Sequence, residues 1–384
     1  MRFGMFMAPF HPAGQNPTLA LERDLDLIVL LDRLGFDEVW VGEHHSAGVE
    51  IIPSPEIFLA VAAERTRHIR LGTGVVSLPY HNPLMVAHRA ALLDHLTRGR
   101  VMLGCGPGQL ASDAHMLAMT ADQLRPRMQE ALDVVVQLLR GEVVTAETEW
   151  FSLRDARLHL TPYQGDQFEM AVTGTVSATG ARAAGRHGIG LLSMAATTPD
   201  GFAALRGHWL EYEKMAADHG HVADRRRWRC VGPVHLAETR EQARAEVRYG
   251  ILPFVKYFEH VTPGGILPGD TVEEVLASND ERKTAIIGTP EDAVARIQEL
   301  EEESGGLGAF LIMISDWADP DATWRSLELF AQHVMPHFNG RAEAPTRSWK
   351  WVDGSAEHFA AENAAAIAKV GRVERQPRPG QVPL

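Results

Sequence analysis

The feature that most constrains this chain is a rhythm. Short runs of β-forming apolar residues alternate with longer runs whose apolar positions recur at helical spacing. The pattern predicts strands over 2–7, 38–41, 69–78, 100–104, 169–173, 189–193, 228–236 and 309–314. Between them it predicts helices over 19–34, 55–66, 83–96, 123–139, 177–187, 202–219, 240–257 and 291–303, with 321–333 closing the series. Gly35 is placed to stop the first helix, and Pro55 and Pro83 stand where a helix loses nothing by lacking an N–H. Strands separated by helices of this length pair in parallel, and parallel strands are apolar on both faces, as these are. The expected fold is therefore α/β: a (β/α)8 TIM barrel, with a six-stranded doubly wound sheet as the competing architecture.

A barrel of this kind needs roughly 250 residues as one domain. The chain has 384, so insertions are expected. A hairpin is predicted at about 143–160. The Gly/Pro-rich and then polar segment Thr262–Lys283 is expected to be a long mobile loop and the candidate lid over the mouth. The barrel domain is expected over 1–338. A C-terminal extension follows over 339–384, with a Trp349–Trp351 pair, an Ala-rich helix near Ala360–Ala368 and a Pro/Gly/Arg tail.

Charge and cysteine usage narrow the partners. The 37 basic and 50 acidic residues leave a formal net charge of −13, which disfavours nucleic acid or an anionic membrane. Two cysteines, Cys105 and Cys230, build no disulfide framework and fit a reducing compartment. The start, MRFGMFMAPF, forms no signal-peptide core, and no run approaches the roughly 18 apolar residues of a membrane span. The expectation is a cytoplasmic protein.

In such a barrel the chemistry sits after the C-terminal ends of the strands. Those ends read Glu43-His44-His45, Ser77 to Pro83, Cys105 to Gln109, Gly174 to Thr179, and Ser315-Asp316-Trp317. Adjacent residues on an extended end point apart, so one of the two histidines is expected to face the mouth. A catalytic histidine acting by proton transfer or hydrogen bonding fits better than a metal site. His81 and Asp316 are the available further ligands, no HExxH spacing occurs, and no metal is expected. Two polar residues merely capping the strand are the bland alternative. Gly174–Thr179 leads into a helix expected to start near Ser177. Such an N-terminus binds phosphate, although ordinary capping by Ser177 reads identically. Glycines in the strand Gly72-Thr73-Gly74-Val75-Val76 mark either a bare surface for a flat ring or close packing inside the barrel. The Gly104–Gly108 stretch completes no dinucleotide fingerprint, and Cys105, with no activating partner, reads as a buried inert thiol.

Four stretches, in order and each at a strand end, carry a resemblance. VWVGEHH, LGTGVVSLPYHNP, LDHLTRGRVMLGCGPG and GTVSATGARAAGRHG together resemble the bacterial luciferase-like flavin-dependent monooxygenases over about residues 1–338. GPGQLASDAHMLAM, RPRMQEALDVVVQLLRGE and VGPVHLAETREQAR look like the limonene monooxygenase-like branch. The resemblance implies reduced FMN supplied by a separate NAD(P)H flavin reductase. Oxygen adds to the ring to give a C4a-peroxyflavin, which oxygenates a small apolar substrate such as a terpene, ketone or aldehyde. It also implies a homodimer. His44 matches the catalytic histidine. Thr73, Gly74 and Val75 match the segment along the flavin ring, where the family often has a non-proline cis peptide. Gly174, Thr175, Val176, Ser177 and Thr179 match the phosphate loop.

Two departures stand out. Pro107 replaces a phosphate-holding arginine, and Val176 replaces an acidic residue. Backbone N–H groups, Ser177, and Arg182 or Arg186 are then the expected phosphate holders. Met5, Met7, Phe10 and Trp317 are candidate walls of the substrate cavity, or equally plain core packing. Alternatives within the same fold are an F420-dependent oxidoreductase and a flavin-binding protein without catalysis; outside it stands a metal-dependent hydrolase.

Overall fold

The computed structural model describes residues 1–8, 10–261, 265–314 and 316–374. Eight parallel strands close into a barrel: β1 (Arg2–Met7), β2 (Glu38–Val41), β3 (Arg70–Thr73), β4 (Val101–Gly106), β5 (Glu169–Gly174), β6 (Gly190–Ser193), β7 (Trp228–Leu236) and β8 (Ala309–Ile314). Each pairs with its sequence neighbour, and β8 closes on β1 in the register Arg2↔Ala309 to Met7↔Ile314. β6 joins β7, and β7 joins β8. The doubly wound alternative is thereby set aside.

Alternation along the strands decides what fills the barrel. Phe6, Trp40, Met102, Ala171, Leu192, Val231, Ala309 and Leu311 pack together inside it. Phe6 points inward, so Met5 and Met7 point out towards the helices. Both are fully buried there. They are core residues of the helix–sheet layer, not walls of a cavity in the lumen. Phe10 and Trp317 instead join Val247, Ile251, Phe254, Leu267, Val275 and Leu276 in a separate apolar cluster.

Local signals account for most helix ends. Asn16 caps Pro17–Leu34 by accepting from the Thr18 and Leu19 amides, and Gly35 ends it in the left-handed region at φ 82°. Several expectations are corrected. Residues 240–257 do not form one helix. They divide into Arg240–Glu246, a turn of 3-10 helix and Ile251–Val261, because Gly250 lies against the backbone of Asp316, where a Cβ would sit 1.7 Å from its carbonyl oxygen. Residues 262–264 and Ser315 lie outside the described residues. The later part of the expected loop is helix Val272–Arg282, started by a Thr271/Glu274 capping box. A short strand, Ile286–Gly288, pairs with the end of β7 outside the barrel. Helix Ala111–Met116 after β4 was not anticipated. The expected hairpin is present as Val144–Glu147 paired with Ser152–Ala156.

The chain divides into two compact units, Met1–Met335 and Pro336–Leu384. The second consists largely of helices Glu343–Gly354 and Ala356–Glu374, with Trp349 and Trp351 exposed. The tail beyond residue 374 lies outside the described residues. Among the described residues no helix is long and apolar enough to cross a membrane.

Candidate active site

The mouth of the barrel is built on the ends of β2, β3, β4 and β5, which are consecutive around the wall. The loop after β2 carries Glu43, His44 and His45. The side chains of the two histidines diverge, as alternation requires, yet both find partners at the mouth. His45 Nε2 and His81 Nε2 both approach Glu43 Oε1, at 2.8 and 2.7 Å, and the Ser77 amide donates to Glu43 Oε2 at 2.7 Å. Burial alone would raise the Glu43 carboxyl. The two imidazoles and the Ser77 amide reverse that and hold it down to about 2. His45 Nε2, His81 Nε2 and a Glu43 oxygen also lie close enough together to share an ion. They satisfy one another by hydrogen bonding as they stand.

His44 lies between two other carboxylates. Its Nε2 is 3.2 Å from Glu50 Oε2, and its Nδ1 is 3.6 Å from Asp113 Oδ2, beyond hydrogen-bond reach. Burial would lower its pKa, but the charges of Glu50 and Asp113 dominate and push it up to about 10, so the ring is an imidazolium at neutral pH. Asp113 comes from the unanticipated helix after β4. Ser46 Oγ and the His45 amide both donate to its Oδ1. Glu50 is held from the other side by Tyr257 Oη at 2.9 Å. Two buried polar atoms here have no hydrogen-bond partner: His44 Nδ1 and Tyr80 Oη. Asp113, Glu50, Tyr80 and Tyr257 were not singled out from the sequence. Asp113 stands in the GPGQLASDAHM stretch, which offered a signal; Glu50 and Tyr257 meet only through the fold.

The Gly74–Val75 peptide is cis, and it separates β3 from a two-residue strand, Val76–Ser77. A Cβ at Gly72 would lie 2.5 Å from the Trp40 ring, and one at Gly74 would lie 2.9 Å from Phe6 and Trp40. Barrel packing therefore accounts for both glycines. Thr73 is buried, and its hydroxyl bridges the Gly104 amide and carbonyl, each at 2.9 Å. Its side chain is committed to the barrel wall.

At the end of β5, Thr175, Val176 and Ser177 are exposed. The helix starts at Thr179 rather than Ser177. Its N-cap is Ala178, which makes no side-chain cap. Ser177 does not cap it: its hydroxyl donates to Thr179 Oγ1 at 3.3 Å. Gly180 is required because a Cβ there would sit 2.3 Å from the Thr173 carbonyl oxygen, so the helix start is pressed against β5. His208, from helix Pro199–Asp218, pins the loop through the Val176 carbonyl at 2.9 Å. Arg182 and Arg186 do not turn to this loop; they pair with Glu211 and Asp133. Asp316, the other candidate ligand, faces Arg23 and His11, away from Glu43. Cys105 is buried, which pushes its thiol pKa up and leaves it inert.

A closed parallel barrel with titratable side chains gathered at its strand ends has the layout of a barrel enzyme. Residues 1–307 match the family model for luciferase-like monooxygenases, and the chain belongs to that family. It is a flavin-dependent monooxygenase, an oxidoreductase that uses molecular oxygen. It is 48% identical to limonene 1,2-monooxygenase of Rhodococcus erythropolis over 376 residues, covering 98% of this chain and 95% of that protein. It is 44% identical to 4-hydroxyprotoasukamycin monooxygenase of Streptomyces nodosus subsp. asukaensis, over 95% of this chain and 98% of that one. Among solved structures it resembles the oxygenating constituent of 3,6-diketocamphane monooxygenase from Pseudomonas putida, a type II Baeyer–Villiger monooxygenase in complex with FMN. The TM-score is 0.73 at 25% identity, over 88% of this chain and 98% of that one.

Proposed function

We propose that this protein is the oxygenase of a two-component system. It takes reduced FMN from a separate NAD(P)H flavin reductase and oxygenates a small apolar substrate. The observation that carries the reading is His44, set at the mouth between the carboxylates of Glu50 and Asp113. The residues fit a flavin phosphate. The uncapped helix at Thr179 offers free N–H groups, Ser177 and Thr179 offer hydroxyls, and Gly174 with Thr175 and Val176 leaves the approach open. The ring would lie over the ends of β2 to β4, along Thr73, Gly74 and Val75, the last two joined by the cis peptide. FMN supplies the oxygen activation. His44 holds a proton close to the reacting centre and offsets negative charge that develops there.

The 48% identity to a limonene monooxygenase makes limonene the first substrate to try. The cysteines are free and buried, which fits the cytoplasm. A homodimer fits the exposed apolar face of the adjacent helices Pro55–Arg65 and Pro83–Thr97, with Ile57, Val61, Met85, Leu92 and Leu96 at 42–67% exposure.

The test is a single-turnover reaction with reduced FMN, limonene and isotopically labelled oxygen gas. One labelled oxygen atom in the product is expected, with little hydrogen peroxide released. FMN reoxidising at its protein-free rate, with no labelled product from limonene or a panel of ketones and aldehydes, would sink the proposal.

A further inference from the structure

Glu50 divides its two oxygens between two partners on opposite sides. Oε1 accepts from Tyr257 Oη at 2.9 Å, and Oε2 lies 3.2 Å from His44 Nε2. The carboxylate is buried, with 6% of its side chain exposed. Its backbone pairs with Phe10 in an isolated antiparallel bridge. The Phe10 ring packs on Tyr257 at 5.6 Å and on Phe254 at 5.6 Å. Tyr257, Phe254 and Phe258 ride on helix Ile251–Val261, which is seated on the same apolar cluster as Leu267, Val275 and Leu276. The mouth loop and this helix are therefore held together by one hydrogen bond and one aromatic cluster.

We propose that Glu50 and Tyr257 are a positioning pair for His44, which fixes the imidazole through Nε2. With Oε1 tied to Tyr257, the Glu50 carboxylate cannot rotate away, and Nε2 must carry its proton towards Oε2. Nδ1 is buried and faces Asp113 Oδ2 at 3.6 Å. Ser46 and the His45 amide hold Asp113 through Oδ1 and leave Oδ2 turned to His44. Burial, then the Glu50 charge, raises the Tyr257 phenol above its ordinary value, so it stays a donor throughout the physiological range. The charged and titratable groups facing this assembly are Glu50, Asp113, His45, Tyr80 and Tyr257. The inference rests on the proposed role of His44 but is tested without turnover.

The experiment is nitrogen-15 histidine NMR of the full chain across a pH series, for wild type, Glu50→Gln and Tyr257→Phe. Reduced-FMN affinity and product formed per FMN are measured alongside. The His44 titration midpoint is expected to fall by about one pH unit or more in E50Q and by a smaller step in Y257F. Product per FMN is expected to fall about tenfold in E50Q and less in Y257F, with FMN affinity within about twofold of wild type. His44 titrating as in wild type in both variants overturns the proposal. The two readings fail separately. Coupled oxygenation that survives His44→Ala removes His44 from the chemistry, while the NMR shifts still decide whether Glu50 and Tyr257 position it.

Discussion

At the floor of the barrel, five strands carry charge at their first or second residue. Arg2, Glu38, Arg70, Glu169 and Arg229 come from β1, β2, β3, β5 and β7. Arg229 is fully buried, gives Glu38 two hydrogen bonds of 2.9 Å, reaches Glu169, and lies 4.8 Å from the Trp40 ring centroid. Arg70 completes Glu169 and Arg2 faces Glu38. At the mouth, three carboxylates (Glu43, Glu50 and Asp113) face three histidines (His44, His45 and His81). At the floor both carboxylates are answered by guanidinium groups. The mouth uses imidazoles, which titrate, and leaves donors unpartnered. The difference teaches where the molecule spends buried charge on shape and where it keeps charge that chemistry can move.

Breaking the floor should have the largest effect. Arg229→Ala leaves Glu38 and Glu169 buried against each other. It should cost about 3–5 kcal/mol of unfolding free energy in a urea titration. Product per FMN from the protein that remains folded should be unaltered. If the variant is as stable as wild type, the floor is not a structural device.

His44→Ala is the matching change at the mouth. Product formation should drop about 100-fold, equivalent to about 2.7 kcal/mol at the transition state. Its stability loss should be less than half that of Arg229→Ala, since Glu50 keeps Tyr257 and Asp113 keeps Ser46 and the His45 amide. Equal stability losses at the two ends would erase the contrast.

Ser177→Ala removes one hydroxyl from the phosphate loop. Reduced-FMN affinity should weaken by about tenfold, the worth of one hydrogen bond to an anion. The fold should be intact, because Ser177 is not the helix cap. An unchanged dissociation constant would place the phosphate elsewhere.

The smallest effects come from pH, and they have opposite signs at the two ends. Burial would raise the Glu169 carboxyl, but Arg229 and Arg70 hold it down to about 2. Its contribution to stability is complete above the ordinary 4.5 and is lost as pH falls towards 2. His44 is raised to about 10, so its contribution is complete below 6.5 and is lost as pH rises through 10. Unfolding should therefore sharpen on the acid side and product formation should fail on the alkaline side, as read by melting and turnover across one pH series. An alkaline limb near 7 would mean that His44 is neutral in the working enzyme.

Much of this was legible in the residues. β1, β2, β7 and β8 fall at their expected bounds, because each is a short apolar run with turn residues on both sides. The Glu43-His44-His45 end and the Gly174–Thr179 turn stand out in the sequence because a barrel puts its chemistry after its strands. Helix Val272–Arg282 was missed because its polar face and flanking glycines read as a loop, although Thr271 and Glu274 spelled a capping box. Met5 and Met7 stood open between cavity wall and core because periodicity gives alternation but not its phase. Only the position of Phe6 inside the barrel says which set faces out.

The sequence by itself determined the repeat and the family, since these depend on local periodicity and on stretches contiguous along the chain; the pairing of β8 with β1, which closes the strands, was decided in the fold. Tertiary structure decided the charge on His44. Glu50 is six residues away along the chain, Asp113 sixty-nine and Tyr257 more than two hundred, and Coulomb interaction depends on separation in space rather than on chain distance.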